Sequence, residues 1–260
     1  MRILVISDIH ANLAAFTAVL RRTREERDLI LCLGDMVGYG PDPNECVELA
    51  AEVSALILGG NHDLAVGKVI TAKDFAPHAK KSLRWTGLVL SAANKAYLSR
   101  LQPRLEYPSS GDTPPDVPEP LLLSHGGPED PIWSYILSEI DAEAAFRQVD
   151  FSRCFFGHTH LPSVFVLNTG GTDRGPAHCT GRYGPPDTVV ETGRQDARFL
   201  LNPGSVGFPR NEDEAPSWDR RFHAVARYAL FDLESGLWQF KGIEYDMGDT
   251  LERMVKFGLW

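Results

Sequence analysis

The chain has no apolar stretch approaching the roughly 20 residues that cross a bilayer as a helix, so a membrane-spanning helix is not expected. Cysteine is scarce. Cys32, Cys46, Cys154 and Cys179 are the whole complement, and their spacing offers no metal-type pairing. Cys32 and Cys154 fall inside strand-like runs, where a thiol acts as a small hydrophobe. This argues against a disulfide framework and suits a reducing cytoplasm. Basic residues are outnumbered, 26 Lys and Arg against 35 Asp and Glu, which gives a formal net charge of −9. Sequence-independent binding to nucleic acid relies on clustered cations, so a nucleic-acid partner is not expected. The dense basic group Arg21-Arg22-Thr23-Arg24 runs straight into Glu25 and Glu26, the pattern of a solvated helix face and not of a nuclease groove. A small anionic substrate stays open, because bound cations can invert the local field. No internal repeat is visible.

What the chain does have is a core. Its 260 residues are 43% hydrophobic, and a single α/β domain of roughly 250 residues is ordinary, so one domain over 1–260 is expected. Met1-Arg2-Ile3-Leu4-Val5-Ile6 enters an apolar run at once and ends in Ser7-Asp8 with no small-residue cleavage site; it reads as a first strand, not a signal peptide. Leu13, Phe16, Val19 and Leu20 follow at helical spacing. Strand 29–33, helix 43–51 and strand 53–58 continue a βαβαβ rhythm, which predicts a parallel sheet with right-handed crossovers. Residues 75–101 read as helical, and 121–123 and 154–156 as short strands. Strands are expected again at 199–201, 224–231 and 237–243, then a closing helix capped by Asp249. Two polar stretches, near 106–120 and 168–198, read as variable loops.

Chemistry gathers at the strand ends. Five clusters stand in order: Asp8-Ile9-His10, Gly34-Asp35, Asn61-His62-Asp63, Ser124-His125-Gly126 and Gly157-His158-Thr159-His160. In a parallel sheet, ligands collect beyond the carboxyl ends of the strands, so one mouth can hold them all. Asp8 and His10 are two apart, and an extended segment would aim both the same way. Asp35 has two oxygens and could bridge two ions. An amide oxygen such as that of Asn61 suits a hard cation, while His62 remains able to carry a proton and Asp63 to orient it. Separately each cluster is weak; five in register are not. His78, His178 and His223 lack such company.

This order resembles the calcineurin-like metallophosphoesterases. Gly38-Tyr39-Gly40-Pro41, Trp85-Thr86, His125-Gly126-x-Pro128-x-Asp130-Pro131 and Asn202-Pro203-Gly204-Ser205-Val206-Gly207 look like a small prokaryotic branch, and the match runs from Asp8 to about Arg210. The resemblance implies an α/β fold: a two-sheet β-sandwich flanked by helices, four layers in αββα order, with a dimetal site at the strand ends. It implies one ion on Asp8, His10, Asp35 and His160, and a second on Asp35, Asn61, His125 and His158, with Asp35 bridging. His62 would give a proton to the leaving alkoxide or act as a positive clamp on a phosphate oxygen. The implied activity is hydrolysis of a phosphomonoester or phosphodiester by hydroxide shared between two divalent ions. Mixed oxygen and imidazole donors suit manganese, iron, zinc, cobalt or nickel over calcium.

The pattern also departs from its relatives. Protein phosphatases of this superfamily follow the second Asp with Asp-Arg-Gly; here Met36-Val37-Gly38 stands there, so a phosphoprotein phosphatase is disfavoured. Ala11 stands where relatives often have Gly. Asn12 is a candidate for substrate contact or for a helix cap, and Arg210 for substrate contact or a surface ion pair. A non-catalytic binding scaffold on the same fold is the alternative from a different class.

Overall fold

β1 (Arg2–Ile6) shows how consecutive apolar residues are used. Successive side chains in a strand face opposite sides, and Ile3, Leu4, Val5 and Ile6 are all buried because both faces of β1 are covered. Ile3 and Val5 join a core between two sheets, whereas Leu4 and Ile6 join a core beneath helices. The structure, a computed structural model, describes residues 1–108, 120–169, 178–208 and 225–259.

After β1 come α1 (Leu13–Arg22), β2 (Leu29–Cys32), α2 (Pro43–Val53), β3 (Leu56–Ile57) and α3 (Asn61–Val66). α4 (Pro77–Val89) and α5 (Ala92–Leu98) precede β4 (Arg104–Tyr107), β5 (Leu121–Ser124), α6 (Glu139–Gln148) and β6 (Arg153–Phe155). The chain continues through β7 (Ser163–Asn168), β8 (His178–Tyr183), β9 (Val189–Glu191), β10 (Ala197–Asn202), β11 (Val225–Asp232), β12 (Leu237–Glu244) and α7 (Gly248–Lys256).

These strands form two six-stranded sheets, ordered β3-β2-β1-β11-β12-β9 and β4-β5-β6-β10-β7-β8. β1, β2 and β3 pair in parallel, as the βαβαβ rhythm requires, and β1 pairs antiparallel with β11. Between the sheets lies an apolar layer that includes Val5, Leu31, Leu123, Phe155, Phe231 and Trp238. Leu4, Phe16, Val19, Ile30, Val47 and Leu230 pack the outer face of the first sheet under α1 and α2. On the outer face of the second, Leu122, Cys154 and Leu200 meet Ala142, Ala145 and Phe146 of α6. The expected four-layer sandwich is the observed architecture.

Three local expectations need correction. The stretch near 168–198 is not simply a loop, since it holds β8, β9 and the start of β10. β8 and β9 are edge strands of their sheets, and β9 with three residues and β8 with the sequence His-Cys-Thr-Gly-Arg-Tyr are too short or too polar to mark a strand in sequence. Strand 53–58 shrinks to β3, because α2 runs on to Val53. α7 starts at Gly248 after Met247, with Asp249 inside its first turn and not at the cap. Of the stretch near 106–120, residues 109–119 lie outside the described residues. Among the described residues, no helix is long and apolar enough to cross a membrane.

Candidate metal centre

The ligand candidates sit on loops leaving strand ends, apart from Asn61, which opens α3, and backbone bonds lace those loops together. Asp8 N–H donates to Gly34 O at 2.9 Å, His10 N–H to Asp35 O at 2.9 Å, and Gly157 N–H to His125 O at 2.8 Å. His158 N–H donates to Asp8 Oδ2 at 3.2 Å, and His62 N–H to Asp35 Oδ1 at 2.9 Å. The spacing of Asp8 and His10 predicts an extended segment, but the backbone is left-handed at both, with φ of 55° and 49°. Ala11, Asp35, Tyr39, His158 and His160 share this conformation, at φ between 49° and 64°. Each such non-glycine residue costs on the order of 1–2 kcal/mol, and such cost collects where function over-determines geometry. Tight reversals after strand ends, not extended backbone, aim these side chains inward.

The side chains converge in two groups, joined by a third that shares His10 with one and Asp35 with the other. Asp8, His10 and His160 offer ligand atoms within 4.8 Å of one another, as do Asp35, His125 and His158. Asn61 joins the second group, its Oδ1 lying 3.1 Å from His125 Nε2. Asp35 sits between them, with Oδ2 3.5 Å from His125 Nε2 and 3.8 Å from His10 Nε2. His62 also comes within ligand reach of His10 and Asp35, closer to the cluster than a purely proton-carrying role requires.

The donor chemistry fits cations. His10 Nδ1 lies 3.0 Å from Val37 O, His125 Nδ1 2.9 Å from Leu33 O, and His160 Nδ1 2.7 Å from Phe208 O. A carbonyl only accepts, so each Nδ1 carries a proton, and each ring in its neutral form presents an Nε2 lone pair to the cluster. The Nε2 atoms of His10 and His160 then face each other at 3.0 Å as two acceptors. Asp8 Oδ1, 3.4 Å from His160 Nε2, is buried without a hydrogen-bond partner. Opposed lone pairs and an orphaned carboxylate oxygen are costly alone and favourable around a divalent ion.

The electrostatics without metal follow from burial against mutual attraction. Burial, with help from the Asp35 charge, raises Asp8 to about 7 despite His125 nearby. Burial opposes a charge on His125, but the Asp35 carboxylate beside it, aided by Asp8, holds its pKa up at about 9. Burial also works against ionised Asp35, yet His125, His62 and His10 keep it well below the usual carboxylate range. His10 is driven down to about 3, chiefly by burial, so it stays neutral. A metal must displace the protons on Asp8 and His125, so its affinity should rise with pH. For manganese we expect log K to climb by about one to two per pH unit below pH 7, and by about one between pH 7 and 9. Calorimetry in buffers of different ionisation heat measures the released protons; a pH-independent affinity would contradict the ligand set.

The other expected site residues divide. Asp63 does not face its neighbour His62, because adjacent residues on a helix point different ways. Its carboxylate instead accepts from Gly60 N–H at 3.1 Å, Met36 N–H at 3.2 Å and Val37 N–H at 3.1 Å, tying the Asp35 loop to α3. Asn12 caps α1 through Ala15 N–H, and its amide donates to Gly207 O at 3.1 Å and Tyr245 Oη at 2.8 Å. Asn12 is buried, and these bonds engage both ends of its amide. Arg210 and His223 lie outside the described residues, and His178 lies in β8.

An aromatic wall around the cluster escaped the sequence reading. Tyr39 packs against the His10 and His62 rings at 4.7 and 4.8 Å and stacks on Phe208 at 4.5 Å and His78 at 5.7 Å. Phe75 touches His62 at 5.0 Å, and Tyr135 lies 4.1 Å from His158. The motif Gly38-Tyr39-Gly40-Pro41 was the signal available. Gly38 has φ +92°, and a Cβ there would overlap His62 Nδ1. Gly38→Ala should therefore displace the ring with metal content unchanged and, with His62 read as the proton carrier, cut turnover about 10²-fold, the scale expected for a misplaced group. Steady-state rates beside metal analysis check this.

Comparison with known proteins agrees with the geometry. The calcineurin-like phosphoesterase family matches residues 1–162. An uncharacterised protein of Methanocaldococcus jannaschii is 32% identical, over 98% of this chain and 92% of its own length. The crystal structure of a metallophosphoesterase from Sphaerobacter thermophilus is 34% identical with a TM-score of 0.76, covering 100% of this chain and 95% of that one. A hypothetical protein of Pyrococcus horikoshii shares the fold at 22% identity, with a TM-score of 0.70 over 100% of this chain and 94% of its own. On this match and on its clustered ligands, the chain belongs to the calcineurin-like phosphoesterases.

Proposed function

We propose that the chain hydrolyses a small phosphomonoester or phosphodiester, using two divalent cations. One would be held by Asp8, His10, Asp35 and His160, the other by Asp35, Asn61, His125 and His158. The observation carrying this reading is the inward-facing donor set, with Nε2 lone pairs and a bare Asp8 oxygen opposed across the cluster and Asp35 at its centre. When bound, the cations supply charge neutralisation of phosphoryl oxygens and a water of lowered pKa. The residues do the rest. His10, His125 and His160 are locked in orientation by backbone carbonyls, so the site meets substrate without reorganising. Asp63 fixes the Asp35 loop against α3 and thereby places His62.

His62 is the proton carrier in this reading. It stands over the cluster between the Tyr39 and Phe75 rings, where it can pass a proton to the departing alkoxide oxygen. The aromatic wall excludes bulk water from that transfer.

Nitrophenyl phosphate and its bis-ester test the reading. Hydrolysis should require added divalent metal, with manganese tried first, vanish with chelator and return on reloading. A fully loaded protein inert toward both esters and toward a nucleotide panel would refute it.

A further inference from the structure

Away from the ligand cluster, a cavity of about 780 Å³ opens among β7, β8, β11 and the start of α6. Its lining includes Ser163, Arg182, Tyr183 and Arg227, with Leu161 and Phe165 supplying apolar surface. Two polar groups on this lining have nothing to bind. Arg227 Nε and Nη1 are shut off from solvent with no hydrogen-bond partner, and so is Ser163 Oγ. Ser163 is only 2% exposed.

Guanidinium nitrogens sealed from water with no counter-charge among the described residues are a costly arrangement, even though Arg227 as a whole is only partly buried. Burial lowers the pKa of Arg227, and no carboxylate among the described residues offsets it. Glu139, the acidic residue on the lining, is engaged by Gly181 N–H at 2.8 Å. Gly204 makes the arrangement possible. At φ +81° it has no Cβ, and one placed there would press on Arg227 Cβ at 2.8 Å and Pro162 Cδ at 3.2 Å. The strand bearing Arg227 and the segment leading to Ser163 can therefore close on one space.

We propose that this cavity is a second binding site, taking an oxyanion carried on an apolar body. The anion would meet Arg227 through Nη2, the one guanidinium nitrogen not sealed off, with Arg182 as a further donor on the lining. The apolar body would lie on Leu161, Phe165 and Tyr183. Arginine is suited to this role because its charged, planar fork pairs with carboxylate or phosphate oxygens. None of the metal-ligand candidates lines the cavity, so the site is distinct from the dimetal cluster and does not depend on the hydrolase reading.

Phenylphosphonate is the probe, since its P–C bond is not an ester and survives a phosphoesterase. Titrated calorimetrically into the metal-loaded full chain, it should occupy one equivalent more in wild type than in Arg227→Met, or bind that equivalent at least about tenfold more tightly. Inorganic phosphate should fill the same equivalent more weakly, because it lacks the apolar body. Arg227→Met should melt no lower than wild type without ligand, since it removes a buried unpaired charge. Identical titrations for the two proteins would overturn the proposal, as would a lower melting temperature with unchanged binding. Should Arg227→Met fail to fold, Arg182→Met decides: severalfold weaker binding of that equivalent supports the site, and unchanged binding overturns it. A failed dimetal assignment would leave the difference between wild type and Arg227→Met intact.

Discussion

Replacing His62 by alanine is expected to lower kcat by about 10²–10⁴-fold while the protein still binds its metals, the range typical of a lost general acid. The backbone N–H of His62 holds Asp35 Oδ1, and alanine keeps that bond, so the bridging carboxylate should stay in place. What disappears is the ring beside His10, Tyr39 and Phe75. Because a proton is needed only as the alkoxide departs, kcat and kcat/KM should fall together. Leaving-group dependence sharpens the test. A nitrophenolate leaves without much help, whereas an alkyl alkoxide cannot, so the loss should be far larger for an alkyl phosphate. Equal losses on both substrates would assign His62 to charge stabilisation of the phosphoryl group. Loss of one metal equivalent would make it a ligand, a role its distance from His10 and Asp35 permits.

The ligand cluster was legible because each candidate follows an apolar run, and a parallel sheet sends all its strand ends to one edge. Asp8, Asp35, Asn61, His125, His158 and His160 needed no more than that. The features that ready them for a cation were not legible. Which carbonyl locks which imidazole depends on Leu33, Val37 and Phe208, positions with no polar side chain to mark them. Asp63 was misread because adjacency in sequence suggested contact with His62, whereas the short helix α3 turns the two apart. β8 and β9 hid in a polar stretch because β9 is only three residues long and β8 carries few apolar side chains. Tyr39 was visible within its glycine-rich motif, but its ring contacts come from Phe208 and His78, both distant in sequence. The cavity around Arg227 could not be foreseen, since it depends on two sheets meeting across Gly204.

Asp35→Asn should abolish the paired site. The substitution is nearly isosteric and keeps an oxygen for His62 N–H, so it tests charge more than shape. Asp35 is the carboxylate whose ionised form is held by His125, His62 and His10 together, and it stands within reach of both ligand groups. A neutral amide cannot bridge two cations against their mutual repulsion. Metal content by elemental analysis should fall from two equivalents to one or fewer, and turnover by at least about 10³-fold, as expected where the ions themselves stabilise the transition state. Thermal stability offers an independent reading. A ligand at a thousand times its dissociation constant stabilises by about 4 kcal/mol, so metal should raise the melting temperature of wild type well above that of the variant. Without metal the two should melt within a few degrees of each other, because the buried carboxylate loses its attraction to His125 but also its repulsion from Asp8 and Asp63. An Asp35→Asn protein that kept two ions and turned over within tenfold of wild type would remove Asp35 from the bridge. The two groups of ligands would then be separate sites, and hydrolysis would have to proceed on one ion alone.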